Sequence, residues 1–332
     1  MMKHFFLVFF SLLIGAGPCF ASPGADLIFS QEVFALTAAG EKMPTVAVDP
    51  LEMENLRRLD FDLGRGRVLR IETNLDDAEK RGLPRFVSMV RECFEHIEAS
   101  TGRSLDGDIL LYLIGFDEVP ISYSFQAAYS ASEPWLEVRL LMVEEGEFLS
   151  GGEAADNVVD FLYDTLPHEL GHDVLNGMRN LEHDIDGRTS FQTRWFIEGV
   201  CEYLAKTFSR GHTAQAQQHG LAMRAGGSEL LTDTQGTALF GWQQQNDLLT
   251  RQESNRYGGS MWAMMAWFES IPLKALLDQV ESAAQPMDGK GLVALLQQTA
   301  GIAPDQLLTR AYVMAQQKER LPAMARARIE GR

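Results

Sequence analysis

Thr165-Leu166-Pro167-His168-Glu169-Leu170-Gly171-His172 is the stretch on which the reading of this chain turns. In a helix, residues four apart lie one turn apart on the same face, so His168 and His172 can aim ring nitrogens at one metal ion. Glu169 stands beside that face. In such a pattern its role is to take a proton from metal-activated water, not to ligate. Upstream, Ala155, Val158, Val159, Leu162 and Leu166 form an apolar stripe, and Asn176-Gly177 downstream reads as a stop, so the whole segment is predicted helical. Pro167 removes one helical hydrogen bond and marks a place for a kink.

Two histidines do not complete such a site. Catalytic zinc takes three protein ligands and leaves a fourth position open. A third His six residues after His172 is absent, because that position is Met178. The next candidate lies in Trp195-Phe196-Ile197-Glu198-Gly199-Val200-Cys201-Glu202-Tyr203, where Glu198 follows His172 by 26 residues. That interval accommodates a loop and a returning antiparallel helix. Glu198 and Glu202 are four apart and share a face, while Phe196, Ile197, Val200, Cys201 and Leu204 supply a buried side. Glu198 is therefore the expected third ligand, with Glu202 orienting a ligating His from behind. His183, Asp184 and Asp186 in the intervening polar loop are the competing ligands. The expected cofactor is one Zn2+ per chain, on ligand type.

With those residues in place, HELGH followed by FIEGVCEY resembles the gluzincin metallopeptidases, in particular the broad peptidase MA-like group related to the aminopeptidase N type. Leu166-Pro167 ahead of the HExxH pattern is in keeping with that group. The resemblance implies a zincin-like fold and peptide hydrolysis with Glu169 as general base. It also implies a Tyr some 60 residues beyond the Glu ligand, and Tyr257 lies 59 residues after Glu198. By that resemblance Tyr257 donates a hydrogen bond to the oxyanion of the tetrahedral intermediate. His212 and His219 are alternatives for this role. The Gly-x-Met-Glu-Asn segment with which aminopeptidase relatives hold a substrate's amino terminus does not stand near Trp135–Val143. Met53-Glu54-Asn55 lies far upstream and reads as coincidence, so aminopeptidase specificity is not implied. The rival reading is a non-hydrolytic zinc-containing binding module of the cell envelope.

Elsewhere the pattern predicts strands first and helices later, which makes the class α+β. Arg67–Thr73 and Ile109–Ile114 read as strands, and Asp77–Thr101 as an amphipathic helix. Trp135–Val143 alternates, with Leu136, Val138, Leu140 and Met142 on one face. It reads as a half-buried strand at a sheet edge, where an extended peptide substrate could add. Trp195–Phe208, Tyr257–Ser270, Leu273–Ser282, Gly291–Ala300 and Asp305–Gln317 read as helices. Residues 22–65 carry no clear assignment, and 209–255 read as loop with short helices. The expected division is a signal peptide at 1–21, an N-terminal α/β part of the peptidase unit at 22–150, and a helical metal-binding and C-terminal lobe at 151–332.

The start of the chain is a charged tip, a short apolar run from Phe5 to Ile14, and Cys19-Phe20-Ala21-Ser22. This pattern predicts export, to the periplasm or the exterior, with cleavage after Ala21. Its apolar run is too short to span a bilayer, so no membrane span is expected after its removal. The formal net charge of −17 disfavours nucleic acid and anionic membranes as partners; a peptide or protein substrate is what the resemblance to metallopeptidases implies. Cys93 and Cys201 fall on apolar helix faces and read as small buried hydrophobes.

Overall fold

Gly64-Arg65-Gly66 closes a hairpin in which all three residues have positive φ, at 85°, 56° and 80°. Two glycines make such a turn cheap, and the Gly64 amide donates to Asp62 Oδ1 at 2.7 Å. The turn joins strands β3 (Arg57–Gly64) and β4 (Arg67–Thr73). They follow a small separate hairpin of β1 (Phe34–Leu36) and β2 (Lys42–Pro44). The computed structural model describes residues 34–36, 42–44, 56–75, 82–105, 108–116, 126–129, 135–144, 161–182, 192–209, 225–233, 237–242 and 251–316. The expected signal segment, Cys19, Met53–Asn55, the loop candidates His183, Asp184 and Asp186, and His212 and His219 lie outside the described residues.

The chain divides into two compact units. One comprises residues 1–91 and 106–161, the other 92–105 and 162–332. The first is built on a mixed five-stranded sheet in the order β3-β4-β5-β7-β6, with β5 at Asp108–Phe116, β6 at Gln126–Tyr129 and β7 at Trp135–Glu144. β4, β5 and β7 run parallel, while β3 and β6 pair antiparallel at the two flanks. Along β4 the residues Arg67, Leu69, Ile71 and Thr73 are buried in strict alternation, the period of a strand with one covered face. Between β4 and β5 the chain forms helix α1 (Leu83–Thr101), whose stripe of Phe86, Val87, Val90, Cys93, Phe94 and Ile97 is buried as its spacing requires.

One expectation about this sheet is corrected. The 135–143 strand is not an edge: β7 bonds to β5 on one side and, through Leu136–Leu140, to β6 on the other. Its backbone along that stretch is not open to an added peptide strand.

The second unit is helical. A π-helical turn at Phe161–Thr165 runs into α2 (Leu166–Asn176). Then come α3 (Arg194–Ser209), a 3-10 segment at Ala225–Thr232, and a short α4 (Thr237–Phe240). Four helices complete it: α5 (Arg251–Trp267), α6 (Leu273–Glu281), α7 (Gly289–Ala300) and α8 (Pro304–Gln316). Pro167 falls in the first turn of α2, directly after the π-helical turn and ahead of both histidines. Helix α5 begins at Arg251, six residues before the expected start at Tyr257. Its first turn and a half is polar, so apolar spacing could not reveal it, and Tyr257 stands inside the helix.

α3 is the centre of this unit, packed on both α2 and α5. Trp195 and Phe196 are fully buried and contact Trp267 of α5, and Trp195 also meets Phe240 edge to face. Two glycines let the helices close. A Cβ on Gly171 of α2 would stand 3.0 Å from Cys201 Sγ and 3.1 Å from Cys201 Cα. A Cβ on Gly199 of α3 would stand 2.8 Å from Met264 Cγ and 2.9 Å from the Ser260 carbonyl oxygen of α5. Cys93 and Cys201 are both free thiols and buried. Among the described residues no helix is long and apolar enough to cross a membrane.

Candidate metal centre

The close approach at Gly171 brings the histidine face of α2 against the acidic face of α3, with the helices antiparallel. His168 Nε2 and His172 Nε2 are 3.1 Å apart. Glu198 Oε2 lies 3.4 Å from each of them. On the far side of the His168 ring, Nδ1 is 3.3 Å from Glu202 Oε1. All four side chains are buried, and Glu198 and Glu202 are only 1% exposed. Carboxylates at that burial are rare unless an opposite charge or a metal compensates them.

Glu198 Oε2 is buried without a hydrogen bond of good geometry, although it faces two ring nitrogens. Two ring nitrogens and one carboxylate oxygen thus converge on one point, a set of lone pairs that a cation can share. His168, His172 and Cys201 form a buried group that can hold a metal ion, with donor atoms all within 4.8 Å of one another. Helix α3 therefore offers two candidates for a third donor, the carboxylate of Glu198 and the thiol of Cys201. The carboxylate is more readily ionised. Burial opposes its charge, but the positive field of His172, the close approach of both histidine rings and the charge of Arg194 hold it well below the usual carboxylate range. The Cys201 thiol is pushed well above its ordinary value by burial and by the charges of Glu198, Glu169 and Glu202.

Without a metal His168 is basic. Burial alone would lower the His168 pKa, yet hydrogen bonds to Glu198 and Glu202 and the charges of Glu202 and Glu169 outweigh it, raising the value to about 10. Glu169 is 5% exposed, and burial raises its pKa despite the opposing fields of His172 and His168.

Tyr257 of α5 joins the same cluster. Its ring centroid is 6.2 Å from that of His168, and its hydroxyl oxygen accepts a hydrogen bond from Arg194 Nη2 at 3.2 Å. Arg194 opens α3, one turn ahead of Glu198, with Nε 3.6 Å from Glu198 Oε1. Its guanidinium lies over the Trp242 ring, 4.6 Å from the centroid, and Trp242 meets Tyr257 edge to face at 4.9 Å. Behind Glu202, Lys206 is 1% exposed and ion-paired to Asp164 of the π-helical turn, with Nζ 4.0 Å from Glu202 Oε2.

Of the residues singled out from the sequence, the structure brings together His168, Glu169, His172, Glu198, Glu202 and Tyr257, while the competing candidates His183, Asp184, Asp186, His212 and His219 lie outside the described residues. Sequence reasoning missed Arg194, Lys206 and Asp164. A signal was present, since Arg194, Glu198, Glu202 and Lys206 recur every fourth residue and form one charged column along an otherwise apolar helix.

Among solved structures the chain matches the aminopeptidase N family protein from Idiomarina loihiensis with a TM-score of 0.51 and 12% identity. The fold is similar to that of an aminopeptidase N family protein. The match covers 77% of this chain and 46% of the other, so this chain spans about half the length of that relative. No protein-family model matches the sequence. No curated protein matches it either.

Proposed function

We propose that this protein is a zinc-dependent peptidase of the gluzincin type, with zinc held by His168, His172 and Glu198. The observation that carries this reading is the triangle of donors, with sides of 3.1, 3.4 and 3.4 Å. A tetrahedral zinc site with bonds of ~2.0–2.1 Å has donor-to-donor edges of about 3.3–3.4 Å. The three atoms therefore fit three corners of such a site, and the orphaned Glu198 Oε2 gains the cation it lacks. The fold likeness to an aminopeptidase N family protein is in keeping with this reading. Bound zinc supplies Lewis acidity, polarising a peptide carbonyl and acidifying water.

The remaining chemistry belongs to the chain. Glu169 accepts a proton from the attacking water and returns it to the leaving amine. Burial raises its pKa toward the working pH, which suits a group that must both take and give a proton. Glu202 holds His168 Nδ1, so that Nε2 faces the donor triangle. Tyr257 presents its hydroxyl proton to the oxyanion that develops on the substrate.

A second reading rests on Cys201. If its thiol serves as a fourth donor, the site is closed and structural, and the protein is a zinc-containing binding module. One experiment separates the two. The purified chain, Glu198→Ala, Cys201→Ala and Glu169→Gln are each assayed for bound zinc and for cleavage of a mixed peptide pool. One zinc per chain, lost in Glu198→Ala but kept in Cys201→Ala, with cleavage abolished in Glu169→Gln, is the outcome for a peptidase. Zinc lost in Cys201→Ala with no cleavage by the parent gives the binding module. A parent that binds no zinc refutes both.

A further inference from the structure

Arg194 touches two groups of the site with one guanidinium. Its Nε lies 3.6 Å from Glu198 Oε1, the carboxylate oxygen that does not face the histidines. Its Nη2 donates to the Tyr257 hydroxyl oxygen at 3.2 Å. The Trp242 ring beneath it, 4.6 Å from centroid to guanidinium carbon, fixes the plane of the fork and at the same time meets the Tyr257 ring edge to face. The side chain is 14% exposed, so these contacts are largely shielded from water.

We propose that Arg194 is a positioning residue that sets the Glu198 carboxylate and the Tyr257 hydroxyl together, an inference that rests on the peptidase reading above. The argument follows from donor and acceptor inventories. A guanidinium has five N–H donors and no acceptor, whereas a phenol has one proton and accepts through its oxygen. In the Arg194 contact the Tyr257 oxygen must therefore be the acceptor. Its single proton is left to point at another acceptor, which in the peptidase is the developing oxyanion. The guanidinium also polarises the phenol and strengthens it as a donor.

The same logic applies to the ligand. A guanidinium beside Oε1 occupies that oxygen electrostatically and turns Oε2 toward the histidine pair, so the carboxylate presents one oxygen to the metal. Lysine could not do both, because an ammonium is a point charge without a fixed fork. Arg194 thus couples the metal ligand to the oxyanion donor.

The test uses the full chain, zinc alone as ligand, and one peptide that the parent cleaves. Zinc dissociation constants are measured by competition with a chromophoric chelator for the parent, Arg194→Met and Arg194→Lys. Turnover is measured at saturating zinc for these, for Tyr257→Phe and for Arg194→Met/Tyr257→Phe. The expected result is a zinc dissociation constant raised ~10-fold or more in Arg194→Met and largely restored in Arg194→Lys. Turnover falls in Arg194→Met, Arg194→Lys and Tyr257→Phe alike, and the double variant is no slower than Tyr257→Phe within about threefold. Zinc affinity unchanged in Arg194→Met, with turnover losses that multiply in the double variant, overturns the proposal. If thermal melting shows Arg194→Met unfolded, Arg194→Lys decides it: turnover equal to the parent's overturns the proposal. A parent that binds zinc yet cleaves nothing refutes the peptidase reading. In that event an unchanged zinc affinity in Arg194→Met sinks the Arg194 proposal as well, whereas a loss upholds its ligand half.

Discussion

Glu202 Oε1 lies 3.3 Å from His168 Nδ1, on the opposite side of the ring from the nitrogen that faces Glu198. The contact selects the tautomer with its proton on Nδ1 and fixes the rotation of the ring. It also makes Nε2 a better donor to a cation. Replacing Glu202 with Leu keeps all three proposed ligands but should weaken zinc binding by ~10–100-fold. Glu202→Gln, whose amide oxygen still accepts, should lose less. Chelator competition at fixed pH reads both. An affinity for Glu202→Leu equal to the parent's would mean that the His168 ring is held by packing alone.

The pH dependence of the metal-free chain follows from the same pair. His168 has a folded pKa of about 10 against an ordinary 6.5. Its contribution to stability is therefore complete below about pH 6.5 and is lost as pH rises through 10. Glu169, also raised, acts with the same sign above its ordinary 4.5, because the folded state holds its proton longer than the unfolded state. The melting temperature of the metal-free chain should decline from pH 7 to pH 10. The zinc-loaded chain should resist that decline, since the cation replaces the proton on His168. Melts with and without chelator across this range give the answer. A metal-free melting temperature that is flat or rising would contradict the assignment.

How far the sequence discloses this structure depends on which direction in space a pattern reports. Helical spacing reports the buried side of α1, α2 and α3, and the six site residues follow from it and from the resemblance. Alternation along Trp135–Val143 reports which side chains lie above and below the sheet. Whether a strand is interior or at an edge is decided in the plane of the sheet, by hydrogen bonds that leave no mark on side-chain polarity. The edge expectation failed for that reason. β3 went unassigned although Leu59, Phe61 and Leu63 alternate with Asp60 and Asp62, because that short pattern sits in a stretch of mixed composition and only Leu63 of the three is fully buried. Arg194 and Lys206 were legible only as members of a four-residue charge period, which a search for apolar stripes passes over.

Gly199 tests how closely α3 and α5 must approach. In Gly199→Ala the new methyl would meet backbone of Ser260 as well as the Met264 side chain, and backbone does not yield as a side-chain end does. The variant should be destabilised by ~1–3 kcal/mol in urea unfolding. Gly177→Ala is the control. Gly177 has φ −71°, and its added Cβ would meet nothing closer than 3.5 Å. That variant should be neutral or slightly more stable. Equal effects at both positions would show that the α3–α5 contact is not tight.

The Lys206–Asp164 pair anchors the π-helical turn that leads into the histidine helix, and it does so from inside the protein. Lys206 is 1% exposed and Asp164 7%. Removing the cation alone, as in Lys206→Met, strips the buried Asp164 of its charge partner and should cost about 3–5 kcal/mol. Removing both charges, as in Lys206→Met/Asp164→Leu, should recover most of that loss, because the desolvation of two ions is avoided. Zinc affinity gives an independent reading. Asp164 precedes His168 by one turn and Lys206 lies 4.0 Å from Glu202, so the double variant, though stable, should still bind zinc less tightly than the parent. Urea unfolding of the three chains, followed by chelator competition on those that fold, measures both quantities. If the double variant is as unstable as Lys206→Met, the loss comes from packing around the lysine stem and not from an unpaired charge. If it binds zinc as the parent does, the pair serves the fold and not the metal centre.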